Sequence, residues 1–254
     1  MFIRPRVIPC LLLDWDRLIK TIKFKQEKYI WDPINAVKLF NEKEVDELFF
    51  IDRSATKRWN INTKLLKRIA VQSFMPLWYA WWIKNFQDAK EIFSLWFEKI
   101  SLNNSILENQ KLISEISSVY WSQSTIITID VKKNIFWKYR VYNHLQKKCT
   151  KICPLAYIKK LEKLWAGEII INSVNNDWTM EWYDINFLNE ISQLVNIPVV
   201  SLWWAWNLED IKEVIDKTHV SAVWVWSLFI YYNKNRAVLI NYPNADDLDK
   251  LLKK

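Results

Sequence analysis

Two stretches decide the fold: Pro198–Asp210, PVVSLWWAWNLED, and Pro76–Asp88, PLWYAWWIKNFQD, which lies 122 positions earlier. Aligned, Pro76 meets Pro198 and Trp81-Trp82 meets Trp203-Trp204. Asn85 meets Asn207, Asp88 meets Asp210, and Lys90-Glu91 meets Lys212-Glu213. Each copy runs from a proline through an apolar run and a paired-Trp turn into an amphipathic helix. A repeat half the chain long is not the short period of a solenoid. It predicts two similar halves, about 1–122 and 123–254, each built of strand–turn–helix units.

Outward from these stretches, strand-like runs alternate with helical patterns. Strands are expected at Arg6–Leu13, Glu47–Asp52, Pro76–Tyr79, Glu98–Leu102, Thr125–Asp130, Glu168–Asn172, Pro198–Ser201 and Ser221–Val225. Helices are expected at Pro33–Glu44, Thr63–Gln72, Phe86–Leu95, Asn109–Ser117, Pro154–Leu164, Ile185–Leu194, Leu208–Asp216 and Ala245–Lys253. Asp32-Pro33 is a helix start, with Asp as cap and Pro in the first turn. Lys132–Lys148 alternates like an inserted β-hairpin. Eight strand–helix units without a linker predict one closed (β/α)8 barrel, an α/β TIM barrel over 1–254. An open doubly wound sheet is the alternative, and the half-barrel repeat favours closure. The active site of such a barrel lies at the C-terminal ends of its strands.

The chain contains 17 Trp and 1 Gly. Ordinary usage is about 7% Gly, roughly 18 residues in a chain this long. The tryptophans stand where a backbone needs glycine: in the paired turns, in Asp177-Trp178-Thr179, and before Ser227. Indoles cannot take the φ > 0 angles of tight turns or let backbone approach a ligand closely. The expectation is that the living protein carries glycine at most or all of these positions. The two codons differ by one base, and a codon read as Gly in one code is printed as Trp in another.

Hydrophobic content of 51% and charge of 25% describe an ordinary globule with a sizeable core. No apolar run reaches the length of a membrane span. The opening MFIRPRVIPCLLL reads as a first strand rather than a signal peptide, because it lacks a small-residue cleavage site. Cys10, Cys149 and Cys153 make neither a disulfide framework nor a zinc site, so no metal or cofactor and a cytoplasmic setting are expected. The net charge of +8 points to an anionic partner. No basic stretch is interleaved with aromatics once the Trp are set aside, so a phosphorylated small molecule is expected and nucleic acid is not.

RVIPCL (6–11), DELFFID (46–52), EKISLN (98–103), SQSTIITIDVK (122–132) and AGEIIINS (166–173), with the two repeat stretches, resemble the cyclase subunit of imidazole glycerol phosphate synthase. The resemblance spans nearly the whole chain. The family pattern has glycine where this chain prints Trp81, Trp82, Trp178, Trp182, Trp203, Trp204 and Trp206. It implies a partner glutaminase whose ammonia passes through the barrel to a bis-phosphate substrate at the top. Cyclisation and cleavage then give imidazole glycerol phosphate and an aminoimidazole carboxamide ribotide, a carbon–nitrogen lyase step of histidine biosynthesis.

The resemblance implies Asp130 as one catalytic aspartate and Lys20 as an active-site lysine. Its other aspartate falls at Leu12, and leucine cannot transfer a proton. Asp14, two residues on and on the same strand face, is the candidate substitute. Two phosphate cradles are implied, one from Trp82 (as glycine), Asn103 and Asn104. The other uses Asp177, Trp178 and Trp204 (both as glycine) and Ser227. Backbone N–H groups of glycine turns bind phosphate well. Arg6, Glu47, Lys99 and Glu168 start strands one, two, four and six and match the family's salt-bridge gate for ammonia. Leu12 and the ending RAVLINYP (236–243) resemble a divergent branch, in which the barrel and its glutaminase supply ammonia for amidation of surface-polysaccharide sugars. A phosphosugar isomerase on a related repeat would have no use for the charged ring.

Overall fold

Eight parallel strands form the frame of the computed structural model, which describes residues 4–22, 26–58, 60–80, 83–174, 184–203, 207–225, 228–232 and 237–253. They are β1 (Arg6–Asp14), β2 (Leu48–Asp52), β3 (Leu77–Ala80), β4 (Lys99–Leu102), β5 (Thr125–Lys133), β6 (Glu168–Ser173), β7 (Val199–Trp203) and β8 (Ala222–Val225). Each pairs with the next in sequence. Arg6 opposite Ala222 joins β8 back to β1, so the sheet is closed. The main helices are α1 (Pro33–Glu42), α2 (Thr63–Gln72), α3 (Phe86–Ser94), α4 (Lys111–Tyr120), α5 (Pro154–Glu162), α6 (Ile185–Leu194), α7 (Leu208–Lys217) and α8 (Ala245–Leu252). This is the expected (β/α)8 barrel.

Strand alternation sorts the side chains into two cores. In β1, Ile8, Cys10 and Leu12 face the lumen with Phe49, Ile51 and Ile170. Val7, Leu11 and Leu13 belong to the larger layer between strands and helices. The helices present matching stripes, such as Leu65, Leu66 and Ile69 in α2 and Ile211, Val214 and Ile215 in α7. The repeat is visible in the caps. Asn85 and Asn207 each cap a helix by accepting the N–H of Asp88 and Asp210, at 3.0 and 2.8 Å. Such a cap contributes about 1 kcal/mol. Asp32 caps α1 with Pro33 in its first turn.

Two features go beyond the sequence reading. β1 and β5 outgrow the barrel and fold into antiparallel hairpins. After β1 the strands are Arg17–Ile22 and Gln26–Trp31, a hairpin that the alternation did not announce. After β5 the strand Tyr139–Asn143 pairs with it, as expected from Lys132–Lys148. Short helices at Arg53–Arg58 and Ser105–Glu108 were also unannounced; four to six residues carry too little periodicity to register.

Among the described residues five tryptophans hold the left-handed backbone that favours glycine: Trp15, Trp96, Trp121, Trp137 and Trp165, at φ 58 to 73°. Trp121 combines φ 70° with ψ 151°, a region that is essentially glycine-only. Trp96 follows the C-cap of α3, the position where a left-handed glycine ordinarily ends a helix. Four of the five also hold their indoles mostly in solvent, Trp96 and Trp137 at 81%. The single printed glycine, Gly167, is equally constrained, because a Cβ there would meet the Ser122 carbonyl oxygen at 1.9 Å. Trp78 and Trp224 differ. They lie in β3 and β8, fill the lumen around Phe49, and find no hydrogen-bond partner for their indole N–H groups among the described residues.

Candidate active site

The first site lies where the strands begin. Arg6, Glu47, Lys99 and Glu168 all turn toward the barrel axis and form a closed cycle. Arg6 Nη1 reaches Glu47 Oε2 at 2.8 Å, and Arg6 Nη2 pairs with Glu168 Oε1. Lys99 Nζ reaches Glu47 Oε1 at 2.8 Å and Glu168 Oε2 at 3.6 Å. Each cation thus touches both anions. Buried charges are costly unless paired, and this two-plus, two-minus set pairs them all. Burial pushes the Glu168 carboxyl up, against the pull of Arg6 and Lys99. The Trp78 ring caps the cycle from the lumen side, with Lys99 Nζ 4.2 Å from its centroid.

The second site lies where β4, β5 and β6 end. Asp130 is buried at 3% exposure. Its Oδ2 accepts from Asn103 Nδ2 at 2.7 Å, and its Oδ1 accepts from Asn172 Nδ2 at 2.5 Å. His144 Nε2, on the hairpin after β5, lies 3.3 Å from Oδ2. Burial alone would raise the carboxyl's pKa. The His144 charge and hydrogen bond, with the two amides, outweigh it and hold the group below the usual carboxylate range. Asp130 is therefore a carboxylate at neutral pH, with neighbours able to donate to it. Ser101 and Thr128, one turn of alternation below, share a 2.6 Å hydrogen bond.

The other expected residues fall as follows. Lys20 is 2% exposed on the first hairpin, close enough to Cys10 for its charge to act on that thiol. Asp14 ends β1 and pairs with Arg17 at 3.7 Å in the hairpin turn, above Leu12. Leu12 is buried in the lumen cluster with Ile19, Ile51 and Ala80. Asn103 is turned onto Asp130. Asn104 caps the short helix Ser105–Glu108 without a side-chain cap bond, and its Oδ1 is buried without a partner among the described residues. Trp82, Asp177, Trp178, Trp204 and Ser227 lie outside the described residues, as do Trp81, Trp182 and Trp206.

Two contributors were missed by sequence reasoning. Asn172 stands directly opposite Asp130 in the β5–β6 register; its signal was a polar residue directly after a run of three isoleucines. His144 had none, since only the hairpin brings it back to β5. Among the described residues no cluster of three potential metal ligands occurs, and no helix is long and apolar enough to cross a membrane. Cys10, Cys149 and Cys153 form no disulfide.

Comparison with known proteins shows the family. Residues 6–235 match the family model described as histidine biosynthesis protein. A Pseudomonas aeruginosa protein with the provisional name imidazole glycerol phosphate synthase subunit hisF2 is 40% identical, over 97% of this chain and 99% of its own. A Leptospira borgpetersenii protein, provisionally named subunit HisF of the same synthase, is 42% identical over 98% of this chain and 99% of its own. The subunit HisF of imidazole glycerol phosphate synthase from Clostridium botulinum (strain Kyoto) is 33% identical, over 94% and 96%.

Proposed function

Given that this chain belongs to the histidine biosynthesis protein family, with HisF-like synthase subunits among its relatives, we propose that it is the barrel subunit of a glutamine-dependent ammonia-transfer enzyme. A glutaminase docks on the face where the strands begin. Neutral ammonia passes the Arg6–Glu47–Lys99–Glu168 cycle, travels along the apolar lumen, and meets a phosphorylated substrate beside Asp130. The observation that carries this reading is the closed charge cycle around the axis. A stability role alone would not require four charges to face a lumen, where burial penalises each one. Glycine at Trp78 and Trp224 would open that lumen, and glycine at Trp82, Trp178 and Trp204 would free the phosphate cradles.

By family the reaction is the cyclisation that yields imidazole glycerol phosphate, with Asp130 as its acid–base carboxylate. One observation favours a second reading. Leu12 occupies the place of the opposing carboxylate, in an apolar surrounding that would not welcome a charge. A barrel that delivers ammonia for amidation of a surface-polysaccharide sugar fits this one-sided top.

Ammonium-dependent turnover of the family's ribulosyl bis-phosphate substrate decides between them. It is measured on protein made with glycine at the Trp positions, with ammonium salt replacing the partner. Turnover that falls about 100-fold or more in Asp130→Asn identifies a working cyclase. A folded protein that binds phosphate but does not turn this substrate over favours the delivery role.

A further inference from the structure

The hairpin after β5 returns over the strand end from which it springs. Val131 pairs with Val141 and Lys132 with Arg140. The turn that follows its return strand Tyr139–Asn143 is fixed by the Gln146 N–H, which donates to the buried Asn143 Oδ1 at 2.9 Å. Its return limb is pinned where the Thr150 N–H donates to the Val141 carbonyl at 2.8 Å. The imidazole of His144 stands edge-on to Tyr142, with ring centroids 5.0 Å apart at 86°. Lys132 Nζ lies 5.2 Å from the centroid of that same tyrosine ring. So braced, His144 Nε2 sits 3.3 Å from Asp130 Oδ2. The groups that β4 and β6 turn onto the carboxylate are the neutral amides of Asn103 and Asn172.

We propose that His144 and Asp130 act as one proton-transfer pair, and that this hairpin histidine supplies the base that Leu12 cannot. The inference rests on the proposed ammonia transfer. When ammonia attacks an electrophilic carbon, its lone pair forms the N–C bond and the π pair of the C=O or C=N moves to the heteroatom. The nitrogen, now positive, must lose a proton. His144, in its deprotonated form, takes it. The Asp130 carboxylate holds the resulting imidazolium, the charged state that in turn holds the Asp130 carboxyl low, and the proton passes on to the heteroatom. Histidine suits this task because its charge changes near neutral pH. A second strand carboxylate is then unnecessary, because base and counter-charge come from one strand and its own hairpin.

The test uses the two histidines of the chain. His219 precedes β8 at the opposite end of the barrel and serves as the internal reference. Both imidazoles are titrated by NMR in the full-length protein and in Asp130→Asn. The His144 titration is expected to move to lower pH in the variant while that of His219 stays in place. In parallel, His144→Gln is expected to lower kcat for ammonium-dependent turnover about 100-fold or more. KM should change little, and one limb of the pH profile should disappear. A His144 titration indifferent to Asp130 overturns the pair. Parental kcat and pH limbs in His144→Gln overturn its role. Coupled titration without turnover by the parent strikes at the proposed reaction and leaves the pair standing. Should His144→Gln fail to fold, the isosteric Asp130→Asn titration still decides.

Discussion

The two halves of the barrel share an architecture and divide the chemistry. β1 and β5 are each nine residues long and both run on into a hairpin. Leu12 lies late in β1 and Asp130 late in β5. Around Leu12 stand Ile19, Ile51 and Ala80. Around Asp130 stand Asn103, Asn172 and His144. A repeat copies the backbone plan, because hydrophobic alternation and caps are enough to specify it. A cluster of polar side chains needs particular residues at one height, and here the second half gathers them around Asp130. At the opposite end the halves contribute unequally but complement each other in charge. The first supplies Arg6, Glu47 and Lys99, the second Glu168, and the four charges of the cycle cancel.

The largest effect expected concerns the turns that both halves share. Trp15 and Trp137 sit in the two hairpin turns, and Trp96, Trp121 and Trp165 in segments that follow α3, α4 and α5. Left-handed backbone at a non-glycine residue costs on the order of 1–3 kcal/mol, and distant sites add. Replacing all five by glycine should therefore stabilise the chain by about 5 kcal/mol or more in chemical denaturation. Peptide masses of the native protein should show glycine there. An unchanged denaturation midpoint, or indole masses, would remove the glycine reading.

Next comes Leu12→Asp, which restores the symmetry between the halves. Losing a buried leucine and burying a carboxylate should cost about 3–5 kcal/mol. If the reaction was lost with this position, turnover of the ribulosyl bis-phosphate should rise above that of the parent. Turnover that stays at the parental level breaks the link drawn between Leu12 and Asp130. The smallest effect is expected at the balanced end. Glu168→Gln leaves Arg6 and Lys99 with one carboxylate between them. The cost should be about 2 kcal/mol, below that of a fully buried pair because Arg6 keeps some contact with solvent. With the glutaminase present, glutamine-dependent turnover should change while ammonium-dependent turnover holds. An equal loss in both would make the cycle a structural clasp rather than a gate.

Alternation and capping are local, so the eight strands and eight main helices were legible in the order of residues alone. The strand-end place of Asp130 and the strand-start places of Arg6, Glu47, Lys99 and Glu168 were legible too, whereas any role for them is implied by the resemblance. Hairpin contacts were not legible. Arg17–Ile22 mixes Arg, Lys and Thr into its apolar positions, and its pairing with β1 is decided by register. Lys20 is the clearest case: alone it reads as a solvated lysine, yet the first hairpin buries it beside Cys10.

The sequence by itself determined the barrel, its internal repeat and the charged residues that start its strands. These depend on periodicity and residue type, which the chain carries locally. The tertiary structure decided that the floor charges form one closed cycle and that Asn172 and His144 converge on Asp130. It also showed which tryptophans occupy glycine backbone. Each of these is a distance or a dihedral angle, which exists only once strands distant in the chain lie side by side.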